Sequence, residues 1–388
     1  MTDSILEPGA TLGVLGGGQL GAMFSGAARR MGYRVAVWDP DQDAPAHRSA
    51  DHSFIAPFSD SKTREQFTAK IHAATFEWEN VPAELCDWIG RSHRVRPSGA
   101  VLRIIQDRIE QKQFLRSKGF PVASFASGET PDQLIDAANT IGLPAVCKTA
   151  TFGYDGKGQW IIRQPSDVEA VANILGGGSG SGPPVRWILE RFVDFERELS
   201  TLVIRGADGE CRTFPAVENR HEQGILRMTR VPAPISSHIS EAASELAART
   251  VAALQGVGVF CVEMFHSAKG LFINEIAPRP HNSGHYTLDA CTVSQFEQQV
   301  RVLCGLPLGE VRLVSPATMV NLIGEEVRVV TSGQGYRTLA AMPGAILHLY
   351  GKRVVRTGRK MGHVTFLAES SEETVERAHW LIDRLAKG

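Results

Sequence analysis

A chain of 388 residues, 43% hydrophobic and 21% charged, holds enough apolar material for two or three domains with their own cores. Its formal net charge of −1 gives no global field for nucleic acid or an anionic membrane, although local basic sites for small anions are compatible with it. Six scattered cysteines without a CxxC pair, an acidic first segment unlike a signal peptide, and no bilayer-length apolar run point to a reduced, cytoplasmic enzyme.

In chain order, Leu12–Leu15 reads as a short buried strand, and Gly16-Gly17-Gly18 turns into a helix from Gln19 to Met31 that Gly32 stops. Arg34–Asp39 is the next strand, so the chain opens as a βαβ unit with a parallel sheet. Ala73–Glu77 ends a later strand of that sheet. Helices are predicted from Ser98 through Val101 to Asp107, from Asp107 to Lys118, and from Pro131 to Ile141. Pro144–Lys148 and Trp160–Ile162 are strands flanking the loop Gly153-Tyr154-Asp155-Gly156-Lys157-Gly158. The run from Gly176 to Pro184, following a helix over Asp167–Leu175, is a low-complexity surface insertion. Strands over 185–193 and 196–204 and a helix over 240–254 follow. Two further strands, Val259–Phe265 and Phe272–Ile276, are joined by a hairpin-length loop, and a helix covers 295–303. After Pro316 the pattern shifts to short strands at 318–323, 345–350 and 363–367, closed by a helix over 371–386. The fold class is α/β plus α+β: an N-terminal α/β domain over 1–108, a lid over 109–195, a large α+β unit over 196–315 and a β-rich extension over 316–388.

Gly16-Gly17-Gly18-Gln19-Leu20-Gly21 fits G-x-G-x-x-G between strand and helix, and Asp39 stands where a ribose-binding acid would be. An NAD(P)-binding oxidoreductase is therefore one reading; any phosphate-bearing ligand at the helix N-terminus is another. Lys148 ends an apolar strand just before the glycine-rich loop. Mobile glycine loops cover nucleotide phosphates while a strand-borne lysine holds them, and G-x-x-x-x-G-K-[ST] is absent. The backbone near Phe192 and Val193 can read an adenine edge, and Glu198 can hold ribose hydroxyls. Glu263 and Glu275 each interrupt an apolar strand. Such charges are costly unless neutralised, and with Asn274 they form a hard-oxygen set suited to Mg²⁺. Arg279 and His281 follow at once and suit a small anion. In the basic stretch 352–363, one or two of Lys352, Arg359 and Lys360 can turn inward to a substrate phosphate.

Together these motifs resemble the ATP-grasp superfamily and, within it, the N5-carboxyaminoimidazole ribonucleotide synthetase family. The matching pieces are Gly16–Gly21, Thr75-Phe76-Glu77, Gln106-Asp107-Arg108, Tyr154–Gln159, Asn274–His285 and Lys360-Met361-Gly362-His363, spread over almost the whole chain. The resemblance implies an ATP-grasp fold with a Rossmann-like N-terminal domain. It implies an ATP-dependent carbon–nitrogen ligase of purine biosynthesis that carboxylates aminoimidazole ribonucleotide through carboxyphosphate. ATP, Mg²⁺ and bicarbonate are the implied cofactor and co-substrates. Arg108, Lys148 and the loop Gly153, Tyr154, Asp155, Gly156, Lys157, Gly158 and Gln159 would contact ATP phosphates. Glu190, Arg191, Phe192 and Val193 would meet adenine, with Glu198, His221, Asn274 and Glu275 completing the nucleotide site. Glu263 and Glu275 would bind the metal. Tyr154, Asp155, Arg279, His281 and Asn282 would form the reaction chamber, and Gln19, Leu20, Glu77, Lys352, Arg359 and Lys360 the ribonucleotide site. A homodimer, a functional link to the downstream mutase, and no nucleic-acid or membrane partner are the family expectations. Other ATP-grasp ligases, of the formate-dependent glycinamide ribonucleotide transformylase or biotin carboxylase type, share the fold and differ in the acyl anion.

Overall fold

The computed structural model describes residues 4–151, 158–175 and 185–387. Three sheets organise them. The first comprises β1 (Thr11–Leu15), β2 (Arg34–Trp38), β3 (His52–Phe54), β4 (Ala73–Phe76) and β5 (Arg94–Val95), all parallel in the order β3-β2-β1-β4-β5. Every residue of β1 and β4 is buried, as strands covered on both faces require. The helix Gln19–Arg30 begins directly after the glycine turn, and Gly32, at φ +85°, ends it in a conformation that favours glycine.

The second sheet comprises β6 (Phe125–Gly128), β7 (Ala145–Thr149), β8 (Gln159–Ile162) and β9 (Trp187–Arg191), antiparallel in the order β6-β9-β7-β8. Helices Pro131–Ile141 and Pro165–Leu175 cover one face, packing Leu134, Val168 and Val171 on Cys147, Trp187 and Leu189. Strand alternation sends the intervening Lys148 and Glu190 to the opposite face, toward the helix Arg108–Ser117.

The third sheet holds β10 (Arg197–Arg205), β11 (Cys211–Thr213), β12 (Val217–Glu222), β13 (Ile225–Val231), β14 (Gly258–Ser267), β15 (Gly270–Ala277), β16 (Ala317–Ile323), β17 (Ala345–Leu349) and β18 (Lys360–Leu367). Its order is β15-β14-β10-β12-β13-β16-β18-β17, with β11 pairing on β10. The strands after Pro316 thus extend the large sheet rather than forming one of their own. Helices Glu326–Thr331 and Gly333–Ala340, which the β-like pattern of that region does not announce, interrupt them. Nor are β11–β13 anticipated: β12 carries Glu218, Asn219, Arg220, His221 and Glu222, too polar a run to read as a strand.

The helix Gln295–Cys304 holds the first and third sheets together. Phe296, Val300 and Leu303 pack into the core of the first sheet, while Val302 joins Leu202, Ile204 and Val259 of the third. Gln299 donates to Thr75 Oγ1 at 3.0 Å. All six cysteines are free. Among the described residues, no helix is long and apolar enough to cross a membrane.

Candidate active site

The glycine turn, the second sheet and the third sheet surround a cleft of about 880 Å³. Every described residue assigned to a site from the sequence lines it, except Gly158. Gly158 instead closes the β7–β8 turn, its carbonyl accepting from the Thr149 amide at 2.8 Å. Gly153, Tyr154, Asp155, Gly156 and Lys157, and the insertion over 176–184, lie outside the described residues.

One end of the cleft is a buried ionic triad. Lys148 Nζ lies 3.0 Å from Glu190 Oε2 and 3.3 Å from Asn274 Oδ1, and Lys112 Nζ lies 3.4 Å from Glu190 Oε1. Burial alone would raise the Glu190 pKa, but the two ammonium groups outweigh it and hold the carboxyl at about 2. Glu190 therefore anchors both lysines while lining the cleft beside Phe192 and Val193. Phe195 and Phe265 stack at 4.7 Å beside them and wall that end with aromatic carbon. The Arg191 guanidinium turns away to the Ile141 carbonyl at 3.1 Å. Glu198 bonds His221 Nδ1. Burial pulls His221 down, but its pKa is raised overall because the Glu198 contact prevails.

Glu263 and Glu275 are direct cross-strand partners on β14 and β15. The register slips by one immediately after Glu263, leaving Asn274 as the extra residue of a β-bulge. Bulges re-aim side chains, and this one allows Asn274 and Glu275, successive in sequence, both to line the cleft. Two carboxylates and a carboxamide oxygen on one bulged pair are hard donors that fit Mg²⁺. Arg108 Nη2 lies 3.7 Å from Glu275 Oε2.

His281 Nε2 lies 3.0 Å from Glu263 Oε1. Burial would lower the His281 pKa, but its contacts with Cys261 and Glu263 raise it, favouring the imidazolium. A buried polar chain orients this ring: His281 Nδ1 to Ser283 Oγ at 2.7 Å, Ser283 to Ser200 at 2.9 Å, and Asn219 Nδ2 to Ser200 at 2.8 Å. Gln295 clamps the His281 peptide at both ends, accepting from its N–H and donating to its carbonyl, each at 2.8 Å. Beside it, Asn282 has both carboxamide atoms buried without a partner among the described residues, and Arg279 has Nε so. Orphaned polar atoms on a cleft wall are what a small polar ligand would satisfy. Arg279 otherwise pairs with Glu79 at 2.5 Å.

Gly284 stands against this clamp. A Cβ there would lie 2.5 Å from both Gln295 Oε1 and Leu202 Cδ1, two buried side chains. We expect Gly284→Ala to displace Gln295 from the His281 peptide. The expected cost is about 1–3 kcal/mol of stability and about 10²-fold in turnover, the effect of an ~1 Å misplacement. Urea unfolding and steady-state ADP release measure the two; wild-type values in both would show that the clamp does not position His281.

The glycine turn differs from a dinucleotide site. Glu77 accepts from the amides of Gly18 at 2.5 Å and Gly21 at 2.7 Å, and Asp39 accepts from Gly17 at 2.6 Å. The protein's own carboxylates fill the helix N-terminus, where an oxidoreductase would seat a pyrophosphate, and Asp39 is spent on the turn. Burial raises the Glu77 pKa against the two amides, with Asp39 adding to the rise. Gln19, Leu20 and Glu77 line the cleft at this end. Lys352, Arg359 and Lys360 border it from the β17–β18 connection, Lys352 Nζ donating to the Lys360 carbonyl at 2.8 Å.

Two charged residues of the cleft, Lys112 and Glu79, are not announced by the sequence. Lys112 is 3% exposed and shares a helix stripe with Ile109 and Leu115, a spacing that marks it as inward-facing. Glu79 lies two residues after Glu77 beyond the end of β4 and pairs with Arg279.

Comparison with known proteins covers most of the chain. Residues 9–106 match a ribonucleotide synthetase preATP-grasp domain, 113–296 an ATP-grasp domain, and 317–377 a phosphoribosylaminoimidazole carboxylase C-terminal domain. The N5-carboxyaminoimidazole ribonucleotide synthase of Bacillus subtilis is 41% identical over 97% of this chain and 96% of its own length. The N5-carboxyaminoimidazole synthetase of Staphylococcus aureus, solved with ADP, superposes with a TM-score of 0.90 at 33% identity, covering 98% of this chain and 99% of that one. The Aspergillus clavatus N5-carboxyaminoimidazole synthase, solved with ADP and 5-aminoimidazole ribonucleotide, gives a TM-score of 0.87 at 32% identity over 98% and 99%.

Proposed function

Because this chain belongs to the N5-carboxyaminoimidazole ribonucleotide synthase family of ATP-grasp ligases, we propose that its cleft divides the reaction between a Mg·ATP half and a bicarbonate half. The protein is an ATP-dependent carbon–nitrogen ligase of purine biosynthesis that carboxylates 5-aminoimidazole ribonucleotide. The observation that carries the division is Glu263, a cross-strand partner of Glu275 and at the same time 3.0 Å from His281.

In the ATP half, Lys148, released from its tie to Asn274, and Arg108 hold the phosphates. Backbone near Phe192 and Val193 reads adenine, and Glu198 with His221 takes the ribose side. Glu263 and Glu275, with Asn274 nearby, would hold Mg²⁺, which when bound offsets charge on the transferred phosphoryl group. In the other half, the Arg279 guanidinium, the His281 imidazolium and the Asn282 carboxamide bind bicarbonate and orient one oxygen for in-line attack on the γ-phosphorus. Carboxyphosphate and ADP result. Carboxyphosphate then breaks its C–O bond to release CO₂ and inorganic phosphate inside the closed site, and the exocyclic amine captures the CO₂ as a carbamate. Tyr154 and Asp155, with the rest of the 153–159 loop, close the chamber against water; Asp155 takes up the amine proton. Gln19, Leu20 and Glu77 face the ribonucleotide, and Lys352, Arg359 and Lys360 hold its phosphate.

The functional units we propose are 1–108, 109–195, 196–315 and 316–388, acting as a cytoplasmic homodimer linked in function to the downstream mutase. ADP release should require both aminoimidazole ribonucleotide and bicarbonate, and labelled bicarbonate should enter the product. Label-free product would refute the assignment. Mg·ATP should raise the melting temperature while NAD(P)H should not, since only a ligand bound by the native state stabilises it.

A further inference from the structure

The cleft uses His281 but leaves three imidazoles behind it unexplained. His348 on β17 and His363 on β18 are direct cross-strand partners whose rings stack at 4.5 Å. Asp289, in the short helix Thr287–Ala290, places its carboxylate oxygens 2.9 and 3.1 Å from His348 Nε2. One donor atom from each of Asp289, His348 and His363 lies within 4.8 Å of the other two. His363 is fully buried, yet its Nε2 has no partner among the described residues. Its Nδ1 lies 2.9 Å from the Tyr350 hydroxyl. With the Nδ1 proton donated to that oxygen, Nε2 presents a bare lone pair, the arrangement by which an outer partner fixes a metal-binding histidine.

His285 sits beside them, its ring centroid 5.0 Å from that of His363, but it is not a fourth donor. The Gln295 amide is oriented by its oxygen, which accepts from the His281 N–H, so its nitrogen donates to His285 Nδ1 at 3.3 Å. His285 therefore keeps its proton on Nε2.

We propose that Asp289, His348 and His363 bind one divalent transition-metal ion, Zn²⁺ by donor type, with water completing the set. Two imidazoles and a carboxylate suit Zn²⁺ and disfavour Mg²⁺. Ligand atoms of a tetrahedral zinc stand ~3.4 Å apart and imidazole lone pairs lie in the ring plane, so on binding the partly exposed His348 ring turns out of its stack on His363 and the three donors draw together. His348, with 28% of its side chain exposed, provides the way in. The ion would staple the β17–β18 ribbon, which carries Lys360 and leads to Lys352, onto the turn that continues from Arg279 and His281. Its role is structural, at the joint between the two ends of the cleft.

The test uses full-length protein stripped by chelator, with Mg²⁺ and ADP saturating to occupy the Glu263–Glu275 pair, and Cys211→Ser to remove the exposed thiol. Titrating Co²⁺ should give a visible absorption band saturating at one equivalent and displaced by Zn²⁺. Asp289→Asn and His348→Gln should each weaken binding by more than ~10-fold, and Tyr350→Phe by ~10-fold as an outer-sphere partner. Glu275→Gln should leave the band unchanged. No saturable band, wild-type binding in both Asp289→Asn and His348→Gln, or loss of the band only in Glu275→Gln would each overturn the proposal. His348→Gln, at a partly exposed ring, keeps the test decisive should a buried variant fail to fold.

Discussion

Glu275→Gln should sharply reduce Mg²⁺-dependent turnover while leaving the protein folded. The Glu275 side chain is 41% exposed, and its partner Arg108 is 3.7 Å away. Exposed pairs of this kind contribute about 0–1 kcal/mol, so the amide should cost little stability. Loss of an anionic donor from the proposed Mg²⁺ pair is a different matter. A catalytic metal contributes several kcal/mol to the transition state, and each 1.36 kcal/mol is tenfold in rate, so ADP release should fall by about 10²–10³-fold. Part of the loss should be recovered at high Mg²⁺. Glu263→Gln should behave differently, because Glu263 is more buried and pairs with His281 at 3.0 Å. It should lose stability as well as rate, since the raised His281 would be left as an unpaired buried cation. Steady-state ADP release against Mg²⁺ concentration, alongside thermal melting, separates the two variants. Full turnover by Glu275→Gln at ordinary Mg²⁺ would remove Glu275 from the metal site.

The Glu263–Glu275 pair was legible in the sequence because each carboxylate interrupts an apolar run and so announces that something neutralises it. The bulge that aligns Asn274 with Glu275 was not, since register depends on both strands. Gly16–Gly21 shows the limit of a local motif. The glycines specify a tight turn with exposed amides, but whether a ligand's phosphate or the protein's own carboxylate fills it is decided by Glu77, 59 residues from Gly18. Lys112 hid for a related reason. Its neighbours Glu110, Gln111 and Gln113 look like a solvated helix face, and only β9, bringing Glu190 across 78 residues of sequence, makes an inward lysine tolerable. The polar strand β12 is hard to read because two of its residues, Asn219 and His221, line the cleft, and a strand that lines a polar site loses the apolar alternation by which strands are read.

Glu190→Gln should be the most destabilising single change in the cleft. Glu190 is 4% exposed, and it is the carboxylate facing both Lys112, 3% exposed, and Lys148, 7% exposed. An amide keeps the shape and removes the charge, leaving two buried ammonium groups that repel one another. Breaking a buried ion pair from one side costs about 3–5 kcal/mol, because the uncompensated charge stays in the interior. The penalty should depend on pH with a defined sign. Glu190 titrates at about 2 in the fold against an ordinary value of 4.5. Its contribution is therefore fully present above about 4.5 and is lost as pH falls through the folded value. On the acid side, the stability gap between wild type and Glu190→Gln should narrow as pH falls from about 4.5 to about 2, where the Glu190 charge is lost. Urea unfolding at a series of pH values measures the gap. A gap of the same size at pH 3 and pH 7 would mean that the two lysines are not held by the Glu190 charge. Replacing Lys112 with methionine in the Glu190→Gln background should recover part of the loss, because it removes one of the stranded charges while keeping the helix stripe of Ile109 and Leu115 packed. It should not restore turnover, since Lys148 would still lack the Glu190 carboxylate that holds it at the cleft.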